Sequence, residues 1–242
     1  MKILITHLGD ITDNFIASSI LKGLYKKYNN PEITWVARSN RIKSLFKYNK
    51  RVKNTLLFKE LINSDDTFDL LINLCPNFNH ELCKNVKIKD VTGFSFQKEF
   101  DEYIHYLYLN KPTKLNYFQI YYNLSQLKWK GEGYDIAYYP KTKSKNNRAG
   151  IAIAHNNLRN YVTNELDLET LKKWSIPYKT NIFKRMDEIN KCKSIVTDDF
   201  LTFNIAVCLR KYVYFLQTFP YNIKLEFFNQ GEIYNVPINI IR

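Results

Sequence analysis

Two periodicities of apolar positions alternate along the chain, and the first thirty residues show both. Lys2–His7 (Lys-Ile-Leu-Ile-Thr-His) is a short apolar run that Leu8-Gly9-Asp10-Ile11-Thr12-Asp13 interrupts. Phe15, Ile16, Ser19, Ile20, Gly23 and Leu24 then recur at three- and four-residue steps. The pattern predicts a buried parallel strand, a tight turn and an amphipathic helix over Asn14–Tyr28. Gly9 suits a sharp backbone turn, and Asp13 is placed to cap the helix N-terminus. Asp10 is then left in the loop at the carboxyl end of the strand, where open α/β sheets hold ligands. It reads equally as a further turn or cap residue.

The same alternation continues. Glu32–Ala37 is a second strand, and Ile42, Leu45 and Phe46 form the apolar face of a short helix whose cations (Arg38, Arg41, Lys43) face outward. Those cations, continuing to Lys53, read as a solvated face or as a basic rim over an anionic acceptor. Thr55–Phe58 and Phe68–Leu74 are strands, the second ended by Cys75-Pro76-Asn77, with His80 beyond it. Val91–Phe94 is a further strand, and Tyr103–Leu127 is aromatic and helical in character. Trp129–Tyr134 is a glycine-punctuated turn in which Trp129 and Glu132 are candidate cleft residues.

Pro140–Arg148 is charged and carries no apolar period, which marks a linker. The expected division is residues 1–139, a linker at 140–148, and a shorter second domain at 149–242. In that domain Ala149–Ala154, Ser194–Thr197 and Tyr212–Leu216 read as strands; Thr163–Trp174, Met186–Ile189 and the stretch from Asp198 to Leu209 read as helices. The tail from Phe227 alternates like a strand. Strands alternating with helices argue for parallel, Rossmann-like sheets.

Composition narrows the function classes. The 242 residues are 45% hydrophobic, enough for a large packed core. No apolar run approaches the roughly 18 residues of a membrane span, and the N-terminus runs directly into a strand, so a cytoplasmic location is expected. Cys75, Cys83, Cys192 and Cys208 show no CxxC spacing, and the four histidines are scattered, so neither disulfides nor a metal site is expected. Cys208 falls in an apolar helical stretch and reads as core. The net charge of +13 suits an anionic partner. Lys, Asn, Ile and Tyr are abundant throughout, however, so the charge also reads as compositional bias.

Met1 to Leu57 resembles the opening of the glycosyltransferase family 9 proteins, the ADP-heptose:lipopolysaccharide heptosyltransferases and their relatives. The carrying residues are the strand Lys2–His7, the Gly9-Asp10 loop, the helix to Tyr28 and the Glu-Ile-Thr-Trp-Val strand from Glu32. A second match, Cys192-Lys-Ser-Ile-Val-Thr-Asp198-Asp199-Phe-Leu-Thr202-Phe-Asn204-Ile-Ala206, resembles the donor-domain signature of Val-Thr strand, Asp-Ser-Gly and His-Leu-Ala. Asp199 takes the motif aspartate, whereas Phe200 and Leu201 replace Ser and Gly and Asn204 replaces His. Leu201 crowds the helix-start amides that would cradle a diphosphate, and Asn204 cannot carry a positive charge.

The resemblance implies a GT-B-like fold, two Rossmann-like domains with parallel sheets facing a cleft. The second domain is short by one helix–strand unit between Trp174 and Met186. It further implies an inverting, metal-independent transfer of a sugar, heptose in the family, from a nucleotide-diphosphate sugar such as ADP-heptose to a hydroxyl, with no other cofactor. Asp10 would be the general base. Gly9, Asp13, Arg38 and Arg41 would lie on the acceptor side, and His155, Asn157, Arg159, Asp199, Thr202 and Asn204 would hold the donor. The implied acceptor is an anionic glycan or glycolipid, with peripheral contact at the inner face of the membrane and lipopolysaccharide biosynthesis as the setting.

Three readings from other classes remain beside it. A degenerate, non-catalytic relative would bind a nucleotide sugar or glycan; a basic nucleic-acid-binding module would rest on charge alone; an unrelated α/β nucleotide-binding enzyme would share only the fold.

Overall fold

The computed structural model describes residues 1–76, 78, 83–107, 115–142, 148–153, 172–177, 181–216 and 238–241. It divides into two compact units between Ala137 and Tyr138. In the first unit β1 (Lys2–His7) leads into α1 (Ile11–Ala17) and α2 (Ile20–Tyr28), then β2 (Glu32–Ala37) and α3 (Asn40–Lys43) with a 3₁₀ turn at Ser44–Phe46. β3 (Val52–Leu57), α4 (Phe58–Ile62), β4 (Thr67–Asn73), β5 (Lys87–Gly93), α5 (Lys98–Leu107) and α6 (Tyr117–Leu124) complete it. The second unit holds β6 (Arg148–Ala152), β7 (Lys172–Ser175), α7 (Ile182–Asn190), β8 (Ser194–Thr197), α8 (Phe200–Cys208), β9 (Tyr212–Leu216) and β10 (Ile238–Ile241).

Each unit is built on a five-stranded sheet, and every described pairing is parallel. The α/β class with two parallel sheets expected from the sequence is the one found. The first sheet has the order β3-β2-β1-β4-β5, so β1 lies between Ile33–Ala37 on one side and Leu70–Asn73 on the other. A strand covered on both faces reads as continuous apolar sequence, and Ile3, Leu4, Ile5, Thr6 and His7 are all fully buried. The order reverses beside β1 and β4. The second sheet has the order β10-β9-β8-β6-β7 and reverses between β6 and β8. At such a reversal neighbouring crossover helices lie on opposite faces, which opens a crevice at the carboxyl ends of the strands.

Several element boundaries differ from expectation for physical reasons. The helix expected over Asn14–Tyr28 begins at Ile11 and is two helices, interrupted at Ser18 and Ser19. The buried Ser18 hydroxyl donates to the Phe15 carbonyl at 2.7 Å and accepts the Asp135 amide at 3.0 Å. A serine turned back onto the helix backbone competes with the helical ladder and bends it. β3 begins at Val52, not Thr55, and Phe58 opens α4. Lys172–Ser175 is a strand paired with Arg148–Ile151, not the end of a helix; the rest of that expected helix, the Phe227–Pro237 tail and His80 lie outside the described residues. Cys208 is only partly buried.

The polar stretch expected as a linker is anchored where it begins. The Tyr138 hydroxyl and the Lys141 amide donate to the Asp187 carboxylate, and the Thr142 hydroxyl donates to the Asp187 carbonyl. The bonds of Lys141 and Thr142 tie the expected linker to α7, and that of Tyr138 does the same just before it.

Candidate functional site

The turn after β1 is clamped on all sides. Asp10 is the N-cap of α1: its Oδ1 accepts the amides of Thr12 at 2.7 Å and Asp13 at 2.9 Å. Asp13, three residues on, reaches back with Oδ2 to accept the Asp10 amide at 3.1 Å, closing a reciprocal capping box. The capping role expected of Asp13 therefore belongs to Asp10, with Asp13 as its return partner. The Asn14 amide donates to the carbonyls of Asp10 (2.7 Å) and Gly9 (3.3 Å), while its Oδ1 accepts Trp35 Nε1 from β2 at 2.9 Å. The Gly9 amide donates to His7 Nδ1 at 3.1 Å, which leaves the proton on Nε2 facing the Tyr121 hydroxyl at 3.0 Å.

Gly9 is required here by close approach. A Cβ at this position would stand 2.5 Å from Asp13 Oδ2 and 2.7 Å from His7 Cε1. His7 is fully enclosed, and burial alone pulls its pKa down to about 3, so the ring is a neutral structural element. The Asp13 carboxyl is pushed up to about 7, first by burial and then by the charge of Asp10. Asp10 itself is exposed, and its Oδ2 carries no hydrogen bond among the described residues.

Asp10 lines a cavity of about 970 Å³ at the carboxyl end of the first sheet. Its walls bring together Gly9, Asp10, Asp13 and Arg38 from the expected set and add Ser39, Asn40 and Lys59. Arg41 lies on α3 outside this lining. Three cations of the basic rim are paired elsewhere. Lys43 pairs with Glu60 at 2.9 Å, Arg51 with Asp135 at 3.1 Å, and Lys53 with Glu32 at 2.8 Å. Among the described residues Arg38 and Lys59 carry no such pair, and both line the cavity.

In the second unit Asp199 caps α8 at the carboxyl end of β8. Its Oδ2 accepts the Thr202 amide at 2.9 Å, the Thr202 hydroxyl at 2.6 Å and Arg185 Nη1 at 2.8 Å. Arg185 is buried on α7 and also reaches the Thr202 hydroxyl at 3.3 Å. Asn204 is fully buried, and its amide donates to the Phe200 carbonyl at 2.6 Å, within its own helix. Of the expected donor set, Asp199 and Thr202 form a compact cluster with Arg185, which was not expected there, and Asn204 turns inward. His155, Asn157 and Arg159 lie outside the described residues.

No protein-family model matches the chain, and no curated protein does. Solved structures match along its whole length. A glycosyl transferase family 9 protein from Veillonella parvula superposes with a TM-score of 0.62 at 12% identity, covering 99% of this chain and 85% of that one. The E. coli heptosyltransferase WaaC, solved with ADP-2-deoxy-2-fluoro heptose, gives 0.61 at 10% identity over 100% and 93% of the two chains. The E. coli ADP-heptose lps heptosyltransferase II gives 0.60 at 14% identity over 100% and 90%. The fold is that of the family 9 glycosyltransferases.

On that GT-B-like fold, several supporting residues had a signal that the sequence reading passed over. Lys59 follows the third strand of the first sheet at the same topological address as Asp10 and Arg38. Asn14 lies three residues after Ile11 on the buried face of α1, where a polar side chain must find partners. Arg185 shares a face with Ile182, Met186 and Ile189, a position at which a cation needs a counter-charge. His7 looked like strand and is strand; its role in holding Gly9 depends on ring geometry alone.

Proposed function

We propose that this protein is an inverting glycosyltransferase moving a sugar from a nucleotide-diphosphate sugar to a hydroxyl of an anionic glycan or glycolipid. The observation that carries the reading is Asp10, a rigidly held carboxylate with one unengaged oxygen, opening on a cavity that also presents Arg38 and Lys59. In the proposed step Asp10 Oδ2 takes the acceptor hydroxyl proton, and the alkoxide oxygen attacks the anomeric carbon from the face opposite the diphosphate. The anomeric C–O bond breaks with its electron pair leaving on the nucleoside diphosphate. Arg38 and Lys59 would attract the negative groups of the acceptor. The similarity to heptosyltransferases, one of them solved with an ADP-heptose analogue, supports ADP-heptose as the first donor to test.

The donor is assigned to the second unit, with helix-start amides at Asp199 and the side chains of His155, Asn157 and Arg159 supplying the neutralising contacts. No metal or further cofactor is invoked in the proposed step. A cytoplasmic, membrane-peripheral location would follow from such an acceptor; no described helix is long and apolar enough to cross a membrane.

A second reading, a non-catalytic binder of nucleotide sugar or glycan, is favoured by the engagement of Asp199, Thr202 and Asn204 in bonds within the fold. Two measurements separate the readings. Thermal shift with ADP and ADP-heptose tests donor binding, which both require. Sugar transfer by wild type and Asp10→Asn tests catalysis. A loss of about 10²- to 10⁴-fold with an unchanged melting temperature is expected, because Asn caps as well as Asp but cannot accept the proton. An Asp10→Asn protein with full transfer activity would remove Asp10 from the chemistry.

A further inference from the structure

The third strand ends at the cavity that Asp10 lines and brings to it the one aromatic ring among the described lining residues. Leu57, Phe58 and Lys59 are consecutive wall residues, and Leu8 and Cys75 are the other large apolar side chains there. Leu57 closes β3 and Phe58 opens α4. The turn between them is braced: the Leu57 amide donates to Glu60 Oε2 at 2.6 Å, and Lys43 of α3 pairs with the same oxygen at 2.9 Å. Phe58 and Lys59 are therefore carried into the cavity wall on a capped helix start.

The ring itself is also held. Phe58 packs against the core cluster that includes Leu61, Phe68 and Phe78, and it meets Phe78 at 5.8 Å with the ring planes at 70°. An edge-to-face contact of this kind engages at most one face of Phe58. The side chain is only half-buried, so core packing does not use all of it.

A phenyl face is apolar and carries partial negative charge. A pyranose chair presents C–H groups across a face, with its hydroxyls and any charged substituent around the edge. Such a ring can cover Phe58 while its edge reaches Lys59, next in sequence, and Arg38, Ser39 and Asn40 after β2. An acyl chain would cover the phenyl and strip water from those polar groups without replacing it. An open-chain anion would meet the cations and leave the ring unused.

We infer that Phe58 is the platform on which the acceptor's sugar ring stacks, beside the cations that hold the acceptor's negative group. The inference rests on the reading of this cavity as the acceptor site. It adds that the unit seated there is cyclic, and it makes Phe58 a specificity-determining residue. The face laid on the phenyl fixes which edge of the sugar, and hence which hydroxyl, is turned toward Asp10.

The test measures binding, with no turnover, on the full-length chain. The probes are methyl β-glucuronide, a cyclic sugar acid, and gluconate, an open-chain acid of the same charge. Wild type should bind the glucuronide about three- to tenfold more tightly than gluconate. In saturation-transfer NMR the C–H protons of one ring face should receive the strongest saturation. Phe58→Leu keeps apolar bulk without an aromatic face and should bind the two probes alike, whereas Phe58→Tyr should keep the wild-type preference. Replacing Arg38 and Lys59 with Gln should weaken both probes. The saturation pattern of wild type decides the point even if Phe58→Leu does not fold.

A wild type that binds neither probe, binds both equally or saturates both glucuronide faces equally overturns the inference. So does a Phe58→Leu protein that keeps the preference. None of these outcomes alters the assignment of Asp10, which stands or falls on sugar transfer by Asp10→Asn; a fully active Asp10→Asn protein would in turn leave a measured Phe58 contact in place.

Discussion

Trp35 Nε1 donates to Asn14 Oδ1 at 2.9 Å, and this one bond joins the second strand to the turn that carries Asp10. Asn14 is oriented by that bond so that its amide faces the carbonyls of Gly9 and Asp10. Trp35→Phe should leave the Asn14 oxygen buried without its donor, at a cost of about 1–3 kcal/mol in stability. Transfer should fall further than donor binding, because the loosened turn misplaces Asp10. Chemical denaturation and transfer kinetics check the two effects; a turnover loss no larger than the binding loss would detach Trp35 from the site.

Arg38 and Lys59 give a charge prediction. Replacing both with Gln should raise the acceptor KM several-fold and make it less sensitive to salt, while ADP binding stays unchanged. If duplex DNA bound tightly with a steep salt dependence and no nucleotide sugar did, the nucleic-acid reading would be favoured instead.

His7 and Asp13 make opposing contributions to pH stability. His7 has a folded pKa of about 3, below its unfolded value of 6.5, so its contribution is lost as pH falls from about 6.5 toward 3. Asp13 has a folded pKa near 7, above its unfolded 3.8, so the folded state binds more protons between those values and is weakened as pH rises through them. Across the overlap, roughly pH 4 to 6.5, the two slopes offset each other. Asp13→Asn should therefore melt higher than wild type at pH 8 and lose stability more steeply on acidification. Melting temperatures from pH 4 to 8 for both proteins decide it; parallel curves would contradict the prediction.

Asp199 and Arg185 should respond unequally to substitution. The Arg185 side chain is 2% exposed and that of Asp199 is 21% exposed, at 2.8 Å separation. Asp199→Asn removes the counter-charge of the more buried partner and should cost about 3 kcal/mol or more. Arg185→Met leaves a carboxylate that reaches water and should cost less. Equal losses in a denaturant titration would mean that the pair is not anchored as the burial implies.

The sheets were legible because parallel strands announce themselves. Lys2–His7, Glu32–Ala37, Ser194–Thr197 and Tyr212–Leu216 are short apolar runs punctuated by polar turns, and each folds over its expected span. Helix continuity was less legible. Ser18 looks like any small helix residue until Asp135, more than a hundred positions later, donates to it. Lys172–Ser175 carries no strand pattern of its own and is placed by pairing with β6. At the site, Gly9, Asp10, Asp13 and Arg38 could be chosen from topology, since they share the carboxyl edge of one sheet. Which aspartate caps and which returns the bond depended on the helix starting at Ile11, three residues before its expected start at Asn14. Asn204 was chosen because it stands where the family signature has His and can donate a hydrogen bond; it is buried and donates to the Phe200 carbonyl of its own helix.

The central position of β1 has a kinetic consequence. Its outer partner on one side is β2, some thirty residues on, but Ile3 also stands opposite Leu70, and closing the other side waits for that later segment. Contacts of such long sequence separation are slow to form, because loop-closure entropy is paid before they return anything. During synthesis the first strand and its helices would emerge as a half-finished layer, with Ile3, Leu4 and Ile5 covered on one side only. The ribosome adds roughly 5–20 residues per second, so that apolar edge stays open for seconds, long enough for a chaperone, or a neighbouring nascent chain, to reach it before β4 does.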